Sequence, residues 1–245
     1  MGSSRLGSFK VVLLDFERTL VRLFEDGAIE QQFFREVWDL CARRGVPARV
    51  LRTGGESPYS LWRKAHRWMQ RRNQDPLRVD RMYHAVASVA KRYEMVAAET
   101  VRLFDDVPPV LDRLKAQSIV VVIVSNNATN AVERILRDNN AEGLVDHVVG
   151  RDPKHELIGN LKPKPLLLME ALRLSRWGAH RALLVGDSVD DMRAGRAAKI
   201  RLKVGVLDHS AFSEWQLRRA GADLVLNRFG DLMPLLPGGD ESGER

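Results

Sequence analysis

The sequence predicts an α/β protein in which a parallel β-sheet carries an inserted block of helices. The run 11–15 is apolar and β-branched and ends in the acid Asp15, which is typical of a buried parallel strand. Residues 28–93 show helical spacing and no strand pattern, whereas strands and helices alternate from about Val101 onward. Such alternation indicates a parallel sheet covered by helices on both faces.

The inserted block is predicted to contain three helices. In the first, at 28–44, apolar residues recur at helical spacing, and Gly45 can close the helix. The second and third are predicted around 61–69 and 79–93, where the same spacing returns. A loop rich in Gly and Ser, at 52–58, separates the first two.

The remainder of the chain alternates between the two element types. Helices are predicted at 108–116, 128–138, 165–174, 189–198 and 213–219, and strands at 119–124, 147–149, 182–186, 202–206 and 224–226. We expect a flexible leader at 1–9, an α/β core at 10–24 and 101–236, a helical cap at 25–100 and a disordered tail at 237–245. Active sites of open parallel sheets lie at the carboxyl ends of the strands. Because the insertion leaves from that edge, the cap is expected to cover the site.

The positive charge is concentrated in the predicted cap. The whole chain carries +7, but the stretch from Cys41 to Tyr93 holds 13 Arg and Lys against three acids, a local charge of +10. The rest is therefore net acidic, and the basic stretch favours an anionic partner. A nucleic acid is not the favoured partner, because the sequence has no recognised nucleic-acid-binding motif.

Cysteine usage and hydropathy bear on location. Cys41 is the only cysteine, so an internal disulfide is excluded, and a reducing, cytoplasmic location is expected. No apolar run approaches the roughly 20 residues that span a membrane, so no membrane association is expected.

Four short motifs follow predicted strands or precede a predicted helix. They are D-F-E-R-T-L from Asp15, Ser125-Asn126, Lys162-Pro163-Lys164-Pro165 and Gly186-Asp187-Ser188-Val189-Asp190-Asp191. In this order they resemble the D-x-D-x-T, Ser/Thr, Lys-x-Pro and G-D-S-x-x-D motifs of the haloacid dehalogenase (HAD) superfamily. The inserted helices resemble its C1-type cap, and the 149–163 and 220–223 segments resemble phosphoglycolate-phosphatase-like members. The resemblance implies the HAD fold, with a Rossmann-like core.

The resemblance also implies a phosphoryl-transfer site. Asp15 would be the nucleophile that forms an aspartyl-phosphate. Lys162 would neutralise the nucleophile and a phosphate oxygen. Ser125 and the backbone near Asn126 would hydrogen-bond the transferring phosphoryl group.

The same motifs imply a magnesium site. Mg²⁺ prefers oxygen ligands in an octahedron and retains several waters. Asp15 and Asp187, on neighbouring strand ends, would supply carboxylates, and the backbone carbonyl of Glu17 a third oxygen. Asp191, one helical turn after Asp187, would act through a water molecule.

Several of these residues also have a purely structural interpretation. Asp190 and Asp191 could be acids that stabilise a helix N-terminus, which is the preferred interpretation for Asp190. Ser125 could cap the helix that follows it. Lys164 competes with Lys162 for the lysine role, although the motif spacing favours Lys162 and a surface position for Lys164.

The first motif departs from the family pattern at two positions. Glu17 stands where family phosphatases have the Asp that serves as general acid and base, and Arg18 stands where Gly is usual. The reference pKa values of Glu and Asp differ little, at ~4.3 and ~3.9, so geometry is more affected than acidity. Arg18 could re-aim Glu17 by holding its carboxylate, which would lower the pKa of Glu17. We expect Glu17 to remain the acid/base but to act slowly.

The sequence therefore predicts a Mg²⁺-dependent phosphohydrolase that acts on a small anionic phosphate ester. One alternative is a dehalogenase-like hydrolase that works without metal. The other, suggested by Glu17, is a weakly active or non-catalytic protein that binds a phosphoryl ligand. In the cap, Arg52, Arg63 and Arg67 are candidates for binding the substrate. A monomer or a dimer is expected.

Overall fold

The computed structural model describes residues 9–25, 27–52, 57–72, 75–151 and 161–236. Most of the leader, most of the Gly-rich loop at 52–58, most of the 149–163 segment and the whole tail lie outside these residues.

Six strands form one parallel sheet, as the sequence predicted. They are β1 (Val11–Leu14), β2 (Val120–Ala128), β3 (His147–Arg151), β4 (Ala182–Gly186), β5 (Leu202–Val206) and β6 (Leu224–Leu226). Their spatial order is β3-β2-β1-β4-β5-β6, and each neighbouring pair is parallel. The first strand therefore lies near the middle, between β2 and β4, so its carboxyl end adjoins the ends of two other strands.

Helices cover both faces of this sheet. They are α5 (Val107–Ala116), α6 (Thr129–Asp138), α7 (Leu166–Ser175), α8 (Val189–Ala197) and α9 (Glu214–Ala220). Successive side chains of β1 point to opposite faces: Val12 and Leu14 pack in one buried cluster, and Val11 and Leu13 in another. A strand buried on both sides must be apolar throughout, which explains the continuous run of the sequence. The predicted α/β class is confirmed.

The inserted segment is helical and has a hydrophobic cluster of its own. Its helices are α1 (Gly27–Arg43), α2 (Ala48–Leu51), α3 (Pro58–Arg71) and α4 (Pro76–Ala97). Phe33, Leu61, Met82 and Val86 are fully buried in this cluster. Helix α4 runs four residues beyond the predicted 93, because its last turn packs on the sheet layer, where Ala97 is buried. Among the helices described, none has the length and apolar character needed to cross a membrane.

Strand β2 is longer than predicted and is irregular near its carboxyl end. The sequence predicted an end at 124, but the strand continues to Ala128. Val124 of β2 pairs with Val149 of β3, and the next pair is Ala128 with Arg151. Residues 125–127 therefore lie opposite the single residue Gly150. This is a β-bulge, which bends a strand and re-aims its side chains.

Gly150 is required at this bulge by close backbone approach. A Cβ atom there would lie 2.8 Å from the carbonyl oxygen of Asn127 and 2.9 Å from the Cα of Thr129. Because both contacts are with backbone, neither can be relieved by a change of rotamer.

We predict that Gly150→Ala destabilises the protein by about 1–3 kcal/mol, as overpacking does. For a chain of this size the midpoint of thermal unfolding should fall by roughly 2–12 °C. Gly143→Ala is the matched control, since an added Cβ there would lie no closer than 4.0 Å to Lys115 Nζ. Equal midpoints for the two variants would contradict this account of the bulge.

Candidate active site

Three carboxylates from separate motifs meet at the carboxyl edge of the sheet. Asp15 directly follows β1, Asp187 directly follows β4, and Asp191 lies in the first turn of α8. Each offers an oxygen atom within 4.8 Å of the others, and all three side chains are buried. The topology thus brings together residues that are up to 176 positions apart in the sequence.

Lys162 lies among these carboxylates. Its Nζ donates to Asp15 Oδ1 and, at 2.8 Å, to the carbonyl oxygen of Val124. It also forms an ion pair with Asp191, at 2.6 Å from Oδ1. Lys164 is exposed, so of the two candidate lysines it is Lys162 that contacts the predicted nucleophile.

Asn126 holds Lys162 in place through its side chain. Its Oδ1 accepts from the backbone N–H of Lys162 at 2.9 Å, and its Nδ2 donates to the carbonyl oxygen of Lys162 at 3.2 Å. The side chain of Asn126 therefore supports the lysine, a contact that the sequence pattern did not predict.

The crowding of charge perturbs the acids. Burial, with a contribution from Asp191, raises the pKa of Asp15 to about 6 against the opposing effect of Lys162. Burial, followed by Asp15 and Asp191, raises the pKa of Asp187 well above its ordinary value. Burial alone would lower the pKa of Lys162, but the two carboxylates that it contacts raise it. Three hard oxygen donors in a buried negative site fit a cation such as Mg²⁺ better than a thiol-preferring metal.

Ser125 lies inside β2 and does not cap the helix that follows. Its Oγ donates to Asn127 Oδ1 at 2.8 Å and accepts from the backbone N–H of Asn127 at 3.1 Å. The residue in the capping position of α6 is Ala128, which has no side-chain cap. The Ser125 hydroxyl thus lies near the carboxyl end of β2, in the same cleft as the three carboxylates. Its hydrogen bonds with Asn127 fix its direction.

Thr19 is a further site residue that was not singled out from the sequence. Its hydroxyl donates to Asp15 Oδ2 at 3.1 Å. The side chain is buried, and the contact leaves Asp15 held on both oxygens. A signal was present in the sequence, because Thr19 occupies the final position of the D-x-D-x-T pattern in the first motif.

Glu17 is held differently from the expectation. Its Oε2 accepts from the backbone N–H of Leu23 at 2.8 Å, whereas Arg18 Nε lies 4.0 Å from Oε1. Burial raises the pKa of Glu17 to about 8, with Leu23 and Arg18 opposing this. The expectation that Arg18 would give Glu17 a lowered pKa is wrong, because burial outweighs a charge at that distance.

Arg18 itself has a left-handed backbone, with φ of 64°. This conformation costs an L-residue about 1–2 kcal/mol relative to the right-handed one. A glycine at position 18 would adopt this conformation without that cost.

The two acids that begin α8 have distinct contacts. Asp191 forms a capping box with Ser188, whose backbone N–H donates to Asp191 Oδ2 at 3.1 Å. Asp191 therefore both caps the N-terminus of α8 and contacts Lys162. Asp190 Oδ2 accepts from Arg63 Nη1 of the cap at 2.5 Å, a partner that the helix-dipole interpretation did not anticipate.

A cleft of about 1710 Å³ lies between the cap and the sheet edge and contains the three carboxylates. The cap lines it with Phe34, Arg35, Tyr59, Trp62, Arg63, His66 and Arg67, among others. Of the predicted cap arginines, Arg63 and Arg67 thus face the cleft. Arg52 is exposed at the end of α2 and does not line the cleft as far as the structure describes it; residues 53–56 beyond it lie outside the described part.

Comparison with known proteins agrees with this geometry. Residues 9–199 match the family model of haloacid dehalogenase-like hydrolases. A phosphoglycolate phosphatase of Pectobacterium atrosepticum is 28% identical over 79% of this chain and 82% of its own length. A phosphoglycolate phosphatase of Aquifex aeolicus is 27% identical over 54% of this chain and 58% of its own length.

Among solved structures, a haloacid dehalogenase-like hydrolase from Bacteroides fragilis superposes with a TM-score of 0.66 at 22% identity, covering 91% of this chain and 99% of that one. This likeness concerns the fold, while the family match also contains the four motifs. On the sequence match and the arrangement of those motifs at the sheet edge, the chain belongs to the haloacid dehalogenase-like hydrolase family.

Proposed function

We propose that the protein is a Mg²⁺-dependent phosphohydrolase that forms an aspartyl-phosphate on Asp15. The observation that carries the proposal is the buried Asp15 carboxylate, bonded to Lys162 beside Asp187 and Asp191 in a cap-covered cleft. The relatives named phosphoglycolate phosphatase support the same reaction class.

In the first step, Asp15 attacks phosphorus and the ester P–O bond breaks. The leaving oxygen takes a proton from Glu17, which lies in the same cleft. In the second step, Glu17 accepts a proton from water as that water attacks phosphorus, and phosphate leaves with Asp15 restored. When bound at the carboxylates, Mg²⁺ would offset their charge and let a phosphate dianion approach.

Lys162 and Ser125 have separate tasks in this scheme. Lys162 neutralises Asp15 and a phosphate oxygen, and it is already aligned by Asn126. Ser125 would turn its hydroxyl from Asn127 toward the phosphoryl group. Because Lys162 is fixed before the reaction, it can stabilise developing charge without reorganisation.

The substrate is proposed to be a small phosphate ester with a further anionic group. Arg67 lies on the cleft wall of the cap, and Arg63 lies there too but is engaged by Asp190. Arg67 is therefore the better candidate for contact with substrate. The cleft exceeds the usual size of a site for a small ligand, so part of it would remain solvated or close further.

Two other activities are less well supported. A metal-independent dehalogenase reaction would need only Asp15, and it gives no role to Asp187 and Asp191 beside it. A binding-only function was suggested by Glu17, yet this carboxyl lies in the cleft with Asp15. Hydrolysis of any phosphate ester in a panel would exclude the binding-only function.

We predict that Asp15→Asn folds like the natural protein but loses phosphate release by several orders of magnitude. The change is nearly isosteric, and it removes both the nucleophile and a metal ligand. Phosphate release from a panel of sugar phosphates, nucleotides, phosphoglycolate and acyl phosphates measures it, with circular dichroism as the control for folding. Near-normal turnover would contradict the role of Asp15.

We predict that Mg²⁺ raises the midpoint of thermal unfolding and that chelation abolishes turnover. At a hundred times Kd the stabilisation is about 2.7 kcal/mol, or roughly 5–11 °C for a chain of this size. Asp187→Asn should lose most of this shift. Asp190→Asn is the matched control, since its carboxylate bonds Arg63 and is not in the cluster. Metal-independent turnover would instead favour the dehalogenase reaction.

We predict that Glu17→Gln lowers turnover by about 10²–10⁴, the usual contribution of general acid–base catalysis. Its amide oxygen can still accept from Leu23, so the fold should be retained. Glu17→Asp should hold or raise turnover, because Asp is the residue usual in the family. Unchanged turnover in Glu17→Gln would mean that Glu17 transfers no proton.

A further inference from the structure

A buried ion pair joins the cap to the sheet outside the catalytic carboxylates. Glu94 of α4 is fully buried, and Arg151 at the end of β3 is 5% exposed. Arg151 Nη2 donates to Glu94 Oε2 at 2.7 Å, and the guanidinium lies 5.6 Å from the centre of the Trp62 ring. Neither residue lines the cleft as described, so neither is positioned to touch substrate.

The pair also contacts three consecutive residues of β2, 126–128. Glu94 Oε2 accepts from the backbone N–H of Ala128 at 2.9 Å, and Oε1 accepts from Asn127 Nδ2 at 3.4 Å. Arg151 Nη1 donates to the carbonyl oxygen of Asn126 at 2.9 Å. Each of the three residues that follow Ser125 is thus held by Glu94 or Arg151.

The β-bulge explains why side chains are needed here. Regular pairing of β2 with β3 is interrupted between Val124 and Ala128, so the intervening polar backbone lacks the ladder that ordinarily satisfies it. Arg151 supplies a donor for the carbonyl oxygen of Asn126, and Glu94 supplies an acceptor for the backbone N–H of Ala128. Asn127, held in this way, in turn fixes the hydroxyl of Ser125.

The cap contributes directly to this arrangement. Glu94 belongs to α4, and the hydroxyl of Tyr59 in α3 donates to Glu94 Oε1 at 2.6 Å. Tyr59 also accepts from Asn127 Nδ2 at 3.1 Å. The geometry of the phosphate-binding strand therefore depends on two cap helices as well as on the sheet.

We propose that Glu94 and Arg151 are positioning residues, which hold 125–128 in the shape that presents Ser125 and Asn126 to a phosphoryl group. Docking of the cap thereby completes the phosphate-binding part of the site. This inference rests on the proposed function for the identity of the bound group. It goes beyond that function in making cap helix α4 a structural component of the site.

The test compares two amide variants for their binding of inorganic phosphate in the presence of Mg²⁺. Glu94→Gln removes the charge and keeps the shape, and it should weaken phosphate binding about tenfold or more, since small displacements at such sites are costly. The affinity for Mg²⁺, measured by thermal shift, should change less than about twofold, because Asp15 and Asp187 do not contact this segment's ion pair.

Asp223→Asn is the matched control. It disrupts a different ion pair, with Lys203 of β5 at 2.7 Å, and should leave phosphate affinity unchanged even if it lowers thermal stability. Should Glu94→Gln not fold, the double variant Glu94→Leu with Arg151→Met replaces the pair by apolar groups, a change that proteins often tolerate. The same loss of phosphate affinity is expected of it.

The positioning role would be overturned if Glu94→Gln, or the folded double variant, bound phosphate as tightly as the natural protein. Failure of the proposed function has a different signature: the natural protein binds phosphate with Mg²⁺ but hydrolyses no ester. In that case the positioning role is still judged by phosphate affinity. A natural protein that binds no phosphate would overturn both.

Discussion

The mutual repulsion of three buried carboxylates is the constraint on which the rest of the site depends. Asp15, Asp187 and Asp191 lie within 4.8 Å of one another, and Lys162 contacts two of them. With all four groups ionised, this cluster would carry two net negative charges in a poorly solvated place. Burial and repulsion accordingly raise the pKa values of Asp15 and Asp187. A divalent cation would neutralise these two negative charges. With the cation bound, the same residues no longer repel an anionic substrate.

The fold supports this cluster from two sides. The order of the parallel sheet brings β1, β2 and β4 together at their carboxyl ends, while the bulge in β2 turns Ser125 and Asn126 toward the same edge. Among the ion pairs that connect the cap with the α/β core, Arg63–Asp190 and Glu94–Arg151 differ in burial. Arg63–Asp190, at the cleft, is partly exposed, so it is screened and contributes little to stability. Glu94–Arg151 is buried, so the loss of one partner would leave an uncompensated charge.

The features that could be predicted from the sequence are those set by the spacing of nearby apolar residues. The apolar run of β1 and the spacing of the α1 and α3 side chains follow from burial, so both were readable from the sequence. The end of β2 was predicted too early, because Ser125, Asn126 and Asn127 are polar and are held in the strand by distant residues. The pKa of Glu17 was misjudged because the burial of a side chain is a tertiary property. Glu94 did leave a signal, as an acid on the apolar stripe of α4 between Ala90 and Ala97, but its partner Arg151 is 57 positions away.

Trapping the intermediate is the most direct test of whether Asp15 is the nucleophile in a metal-dependent phosphoryl transfer. The protein would be mixed with acetyl phosphate and Mg²⁺, quenched in acid and digested, and the peptide that contains Asp15 would be examined by mass spectrometry. We expect one added phosphoryl group on that peptide, and we expect it to be absent when the metal is chelated before mixing. Turnover without a phosphoryl group on Asp15 would contradict its role as the nucleophile. Phosphorylation of Asp15 that is unchanged by chelation would contradict the metal dependence.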